Sequence, residues 1–493
     1  MKTQPSRRDA MHRPLRRAAA FCLLLVLLLM ARATWLTVAK ADSYDNNPAN
    51  ARIAIERYGK PLGNILVGGQ PVTGSTPTGG ELAYKRSYTD GPLYAPVTGY
   101  SSQAYGSTQL ESLYSGLLSG TDPRLAGPAD ALTRTAPPGG DVVTSIDPKV
   151  QKAAWDALDG KQGAAVAVDP ATGAVLGLVS TASFDPSAIA GRSNADAAAW
   201  KLLSADSGSA MLNHALRSTY APGSTFKLVT AAAALENGLY PDVDTPTVSP
   251  DPYTLPDTRR QITNENPAAP CTNASLRVAL QYSCNNVFAK LAADLGEARL
   301  SAQAAKFGFN LGTLDIPVRA ATSVYPDKLE PSQLALTGIG QFSVTATPLQ
   351  MAMVSSAIAD GGVLMQPSMV DKLTDHEGRT VEDFKPQQLT RAMSEKTARQ
   401  LQSAMVTVVT AGTGTAAAVD GVTVGGKTGT AQNGVNNSGT PYAWFTSYAD
   451  DGSGHRIAIA VVVVDGAANR SDVTGGGLAA PVAKAMIKAA FGK

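Results

Sequence analysis

Hydrophobic residues fall into three regimes along this chain. Near the N-terminus they form one nearly continuous block, Ala18 to Ala31, broken by Arg32 and resumed from Ala33 to Ala39. Such a block, about 21 apolar residues, is long enough to cross a bilayer as one helix. Between residues 42 and 140 apolar stretches are short, as in Gly63-Asn64-Ile65-Leu66-Val67, and lie among Gly, Pro, Ser, Thr and Tyr. The run from Ser87 to Tyr105 reads as loop and short strand, so a small β-rich domain is expected here. After Ala136-Pro137-Pro138-Gly139-Gly140 the pattern becomes regular.

In this third regime Asp141 to Ile146 reads as a strand and Pro148 to Leu158 as an amphipathic helix with Val150, Ala153, Ala154 and Leu158 on one face. Ala164 to Val168 and Ala174 to Val179 form a hairpin around Asp169-Pro170-Ala171-Thr172-Gly173. Leu228 to Glu236 and Ala274 to Tyr282 read as helices. Val422 to Val424, Tyr442 to Tyr448 and Ile457 to Val464 read as strands, and Leu478 to Phe491 as a closing helix. Strands at both ends with helices between them predict an α/β protein of the α+β type, an antiparallel sheet flanked by helices. The expected organisation is a basic head (1–17), a transmembrane anchor (18–39), a non-catalytic domain (42–140) and a larger domain (141–493).

Charge sharpens this picture. Lys2, Arg7, Arg8, Arg13, Arg16 and Arg17 against Asp9 give the head +5; the whole chain carries +2, which leaves −3 for the rest. A near-neutral body has no surplus to neutralise phosphates, so nucleic acid is excluded as a partner. Basic residues before the span place the N-terminus in the cytoplasm and everything after about residue 42 outside it. A cleaved signal peptide is the rival, because Ala39-Lys40-Ala41 resembles a small-x-small site, but the apolar block exceeds an ordinary signal core. Cys271 and Cys284 lie in the exported part, where disulfides persist. Their spacing leaves open a bridge or two buried thiols. The four histidines (12, 214, 376, 455) are scattered, with no ligand spacing for a metal.

Three segments carry candidate chemistry. Ser224 opens the Leu228 to Glu236 helix, and Lys227 lies one turn on along the same face. A serine hydroxyl needs a base, and a lysine serves only once burial or nearby positive charge lowers its pKa. The bland alternative is a capping serine and a solvated lysine. Ser283-Cys284-Asn285 offers a hydroxyl to relay a proton and an amide to hold a lysine or a carbonyl, though a lone SxN is ordinary in turns. Lys427-Thr428-Gly429-Thr430 offers an amine and hydroxyls for a carboxylate, with glycine admitting a substrate backbone. Gly421 to Thr428 also fits the phosphate-loop pattern GxxxxGK[ST], but Gly429, Gly434 and Gly439 follow it and no helix opens at Lys427.

SxxK, then SxN 59 residues later, then KTG 144 residues after that, is the order found in penicillin-recognising serine acyltransferases. The chain resembles a class B penicillin-binding protein, most closely the actinobacterial penicillin-binding protein A type. The resemblance also rests on Gly338-Ile339-Gly340-Gln341 and Thr347-Pro348-Leu349-Gln350-Met351-Ala352. No segment of glycosyltransferase size precedes residue 140, which fits class B.

The resemblance implies a peptidoglycan D,D-transpeptidase with no cofactor, taking stem peptides ending in D-Ala-D-Ala and inhibited by β-lactams. Ser224 would be the nucleophile, Lys227 its base, Ser283 the proton relay and Asn285 the orienting amide. Lys427, Thr428 and Thr430 would hold the substrate carboxylate. The backbone N–H groups of Ser224 and Thr430 would form the oxyanion hole. A membrane-embedded glycan polymerase, division proteins and a second copy of the chain are its implied partners. A bridge from Cys271 to Cys284 would stiffen the SxN loop, so reduction would slow acylation. A D,D-carboxypeptidase and a non-catalytic β-lactam sensor share these motifs. A class A β-lactamase does not fit, since Glu330 to Ala335 lacks the Asn of its ExxLN pattern.

Overall fold

The computed structural model describes residues 7–40, 51–127, 137–158, 160–206, 210–434, 437–464 and 470–493. The start of the basic head, Ala41 of the small-x-small site and Ala136 of the boundary stretch lie outside the described residues. The chain divides into two units, residues 1–60 with 78–83, and residues 61–77 with 84–493.

In the first unit one helix runs from Arg7 to Ala39. Its Pro14–Ala39 part is 26 residues long with a mean hydropathy of 2.2, long and apolar enough to cross a membrane. Arg32 lies over the Trp35 ring at 4.7 Å, a pairing suited to the membrane interface. A short helix, Ala51–Tyr58, follows.

The second unit is organised around a five-stranded antiparallel sheet: β1 (Gly163–Val168), β2 (Val175–Thr181), β3 (Thr423–Asn433), β4 (Gly439–Asp450) and β5 (Arg456–Val463), in the order β3-β4-β5-β1-β2. Central strands β1 and β5 do not alternate apolar with polar, because both faces are covered. Ala165, Ala167, Val461 and Val463 join a core with α1 (Pro148–Leu158) and the closing helix Ala480–Phe491. Ala164, Val166, Ala460 and Val462 belong to the core on the other face. There α2 (Lys227–Glu236), α3 (Asn285–Leu295) and α4 (Pro348–Ala359) pack. Every residue of α4 is buried; Thr347 caps it by accepting from Gln350 N–H, with proline at the first helical position.

Three expectations change. The strand read at Val422 to Val424 runs on to Asn433, so the glycine-rich segment through Lys427 is the middle of the eleven-residue strand β3, whose register on β4 pairs Lys427 with Thr446 and Thr430 with Ala443. The Ser87 to Tyr105 run contains a helix, Gly91–Thr98, which Pro92 can open and which buries Leu93, Tyr94, Ala95 and Val97. The strand Asp141–Thr144 pairs in parallel with Ile65–Val67 and antiparallel with Val370–Thr374. It is thus the middle strand of a second sheet shared by early and late parts of the chain. That sheet is backed by a buried ion pair, Arg86 Nε to Glu111 Oε1 at 2.5 Å, with Arg86 also donating to the Gly63 carbonyl and to Thr73 Oγ1.

Candidate active site

Ser224 sits on the 3-10 turn Gly223–Phe226 that leads into α2. Two glycines shape that turn from outside. Gly340 (φ 71°) accepts from Gly223 N–H at 3.1 Å, and a Cβ on it would lie 2.1 Å from the Gly223 carbonyl oxygen. Gly429 of β3 passes so close that a Cβ would meet the Pro222 oxygen at 3.0 Å and Thr225 Cγ2 at 3.1 Å. Gly429 therefore admits the nucleophile turn. Ser224 is 7% exposed, and its Oγ makes no hydrogen bond among the described residues.

The SxxK and SxN segments meet at Lys227. Its Nζ donates to the Ser283 carbonyl at 2.7 Å, Ser283 Oγ at 3.1 Å and Asn285 Oδ1 at 2.8 Å. Ser283 reaches this position with φ 60°, a left-handed conformation costly for a residue with a Cβ and typical of functional sites. From β3, Lys427 Nζ donates to the same Ser283 Oγ at 3.0 Å and to the Thr428 carbonyl at 2.9 Å. Both lysines are fully buried. Burial, and then the charge of Lys427, holds Lys227 well below the ordinary lysine range. Burial lowers Lys427 to about 7, against a smaller upward pull from Glu265. Both causes push Lys227 toward the neutral amine, which is the form a base for Ser224 must take.

Ser224, Asn285 and Thr430 line a cleft of about 910 Å³, together with Thr263, Glu265, Gln432 and Arg470. Lys227, Ser283 and Lys427 are buried and do not line it, but hydrogen bonds tie them to one another and to Asn285. The structure thus gathers Ser224, Lys227, Ser283, Asn285, Lys427 and Thr430 in one place. Thr428 stands apart: it is nearly buried, and its hydroxyl is 2.6 Å from Thr413 Oγ1, not in the cleft. Cys271 and Cys284 are bonded, with Cα atoms 5.5 Å apart. Sequence reasoning missed Thr413, Thr263, Asn264 and Glu265, which come from loops with no motif spacing. As the edge of its sheet, β3 leaves one side of its backbone unpaired, the side on which an extended peptide can add.

Comparison with known proteins places this geometry. Residues 163–488 match the penicillin binding protein transpeptidase domain, and residues 62–142 match the penicillin binding protein A dimerisation domain. The chain is 39% identical to peptidoglycan D,D-transpeptidase PbpA of Mycolicibacterium smegmatis, over 98% of this chain and 99% of that protein. It is 36% identical to PbpA of Mycobacterium tuberculosis, over 98% and 99%. Among solved structures, the ceftriaxone acyl-enzyme of M. tuberculosis penicillin-binding protein A matches with a TM-score of 0.83 at 36% identity, covering 89% of this chain and all of that one. The penicillin G acyl-enzyme of the same protein matches at 0.81, covering 88% of this chain and all of that one. The chain belongs to the penicillin-binding protein transpeptidase family, as a class B member of the penicillin-binding protein A type.

Proposed function

We propose that this protein is a membrane-anchored peptidoglycan D,D-transpeptidase that works through an acyl-enzyme on Ser224. The observation that carries this reading is the sharing of Ser283 Oγ by two buried lysines, one of them three residues on from Ser224. Neutral Lys227 takes the Ser224 proton as Oγ attacks the penultimate D-Ala carbonyl. The backbone N–H groups of Ser224 and Thr430 receive the oxyanion; losing one such donor costs about 10²–10³ in rate. Ser283 gives its hydroxyl proton to the leaving D-Ala amine and regains one from protonated Lys227, 3.1 Å away, which restores the neutral amine. An amine from a neighbouring stem peptide then takes the acyl group. Thr430 holds the substrate carboxylate at the edge strand. Lys427 supports it through its field and through Ser283, since it is buried and does not line the cleft. β-Lactams acylate the same serine.

The basic head supports a cytoplasmic N-terminus with the catalytic body outside the membrane. The dimerisation-domain match of residues 62–142 supports a docking role for the first domain, toward a second copy or a membrane-embedded glycan polymerase in septal wall synthesis. Fluorescent penicillin labelling of wild type beside Ser224→Ala tests the chemistry. The label is expected to vanish in the variant while its melting profile stays the same, and a retained label moves the nucleophile elsewhere.

A further inference from the structure

The helix that presents Asn285 begins without a cap of its own. The residue before it, Cys284, is tied to Cys271, and no side chain at that position bonds the first-turn amides. Ser, Thr, Asp or Asn ordinarily does so. Asn264, 21 residues upstream, supplies the acceptor instead: its Oδ1 receives Asn285 N–H at 2.5 Å and Asn286 N–H at 3.4 Å. Its Nδ2 donates to Asp251 Oδ2 at 2.7 Å and Asn286 Oδ1 at 3.0 Å, which fixes the amide in one orientation. The preceding Thr263 carbonyl accepts from Asn285 Nδ2 at 3.1 Å. Two consecutive residues thus hold Asn285 by backbone and side chain, leaving Oδ1 aimed at Lys227 Nζ.

We propose that Asn264 is a positioning residue for acyl transfer, acting through Asn285 to orient Lys227 toward Ser224. Thr263-Asn264 is then a fourth site segment beside those of Ser224, Ser283 and Lys427. This rests on the assignment of Ser224 as nucleophile. A neutral amine has two N–H bonds and one lone pair, and the lone pair must face Ser224 Oγ. The 3.1 Å bond to Ser283 Oγ is one the protonated amine makes. Of the three oxygens around Nζ, Ser283 O and Asn285 Oδ1 can only accept, so they take the two N–H bonds of the neutral amine and set its lone-pair direction. An Asn285 free to swing releases it, and misorientation of a reacting group is expensive in rate.

The test is a double-mutant cycle in the full-length protein with Asn264→Ala, Asn285→Ala and both together. Penicillin acylation is followed from pH 5 to 9, alongside thermal melting. Asn264→Ala is expected to slow acylation about tenfold and to have little further effect once Asn285 is alanine. Its acid limb moves to lower pH, because protonated Lys227 has lost an acceptor. The charged groups facing Lys227 are Lys427 and Glu265, and every variant retains both. Multiplicative effects in the double variant, or a rate that falls only with the folded fraction while the acid limb stays put, would overturn the proposal. Should Asn264→Ala fail to fold, Asn264→Ser retains a capping oxygen and carries the cycle. Ser224→Ala runs in parallel: if it keeps the label, the nucleophile assignment falls and this proposal with it. Loss of that label together with multiplicative effects overturns the proposal alone.

Discussion

Lys227 Nζ and Lys427 Nζ donate to one oxygen, Ser283 Oγ, at 3.1 and 3.0 Å, and neither amine reaches solvent. Two ammonium ions sharing one acceptor away from water would repel each other and forgo hydration. The arrangement is therefore stable only with at least one proton gone. Because the two sites interact, their titration belongs to the pair. Lys227 also lies under the field of Lys427, and this favours the state in which Lys227 is the neutral partner.

This pair makes folding stability depend on pH in a defined direction. Lys427 titrates at about 7 in the folded protein, against 10.5 for a free lysine. Between those values the unfolded chain binds a proton that the native state lacks, so stability rises with pH. Below about pH 7 both states are protonated, and the cost of burying the charge is fully present. Lys427→Met removes the Lys427 share of this dependence, while buried Lys227 keeps its own. Urea unfolding at a series of pH values should show wild type gaining on the variant by roughly 3–5 kcal/mol from pH 7 to 10.5. Parallel stability curves would mean that Lys427 keeps its proton when buried.

Glu265 lines the same cleft, and its carboxylate raises the pKa of both lysines. Glu265→Gln removes the charge at nearly constant shape, so both amines should shed their protons at lower pH. The acid limb of penicillin acylation should move to lower pH. Because Glu265 is exposed, the displacement should shrink at high salt. A limb that does not move at either ionic strength would show that solvent screens Glu265 from the lysines.

What the sequence revealed of this site follows from distance along the chain. Ser224 and Lys227 are one helical turn apart, so their nearness was readable from local spacing. Ser283 and Lys427 were readable only through the order of three motifs, because their meeting depends on α3 packing beside α2 and on β3 packing beside the turn that carries Ser224. Thr263, Asn264 and Glu265 lie in a polar loop whose role comes from hydrogen bonds to α3 and from facing the cleft, and no periodicity encodes those. Thr428 was assigned to the substrate by its place next to Lys427, yet Thr413 takes its hydroxyl. The strand at Asp141 was legible from its alternation, whereas its partners near residues 65 and 370 were not, since register between distant strands leaves no local trace.

Gly340 offers a direct test of how the nucleophile turn is held. Its φ of 71° is itself costly for alanine, and a Cβ would collide with the Gly223 carbonyl. Gly238 has a similar φ of 68° with no atom near its would-be Cβ. Gly238→Ala should therefore cost about 1 kcal/mol from backbone conformation alone. Gly340→Ala should cost about 3 kcal/mol or more and should also slow acylation, because the clash pushes on the turn that carries Ser224. Equal stability losses and equal acylation rates in the two variants would show that the turn does not depend on Gly340.

The bridge between Cys271 and Cys284 should matter for stability more than for rate. It closes a loop with a sequence separation of 13, and removing such a bond typically costs about 2–4 kcal/mol. The loop has a second tether, however: Asn286 Nδ2 donates to the carbonyls of Cys271 at 2.9 Å, Ser249 at 3.1 Å and Pro250 at 3.2 Å. Replacing both cysteines by serine should lower the melting temperature while slowing penicillin acylation only about threefold, well under the 10² expected of a misplaced catalytic group. Adding Asn286→Ala should then lose most of the remaining rate. Both sulfurs are buried, so mild reductant should leave labelling of the folded protein unchanged and act only after unfolding. Rapid loss of label in reductant without unfolding would mean that the loop opens in the native state, and that the bridge, not Asn286, holds the site together.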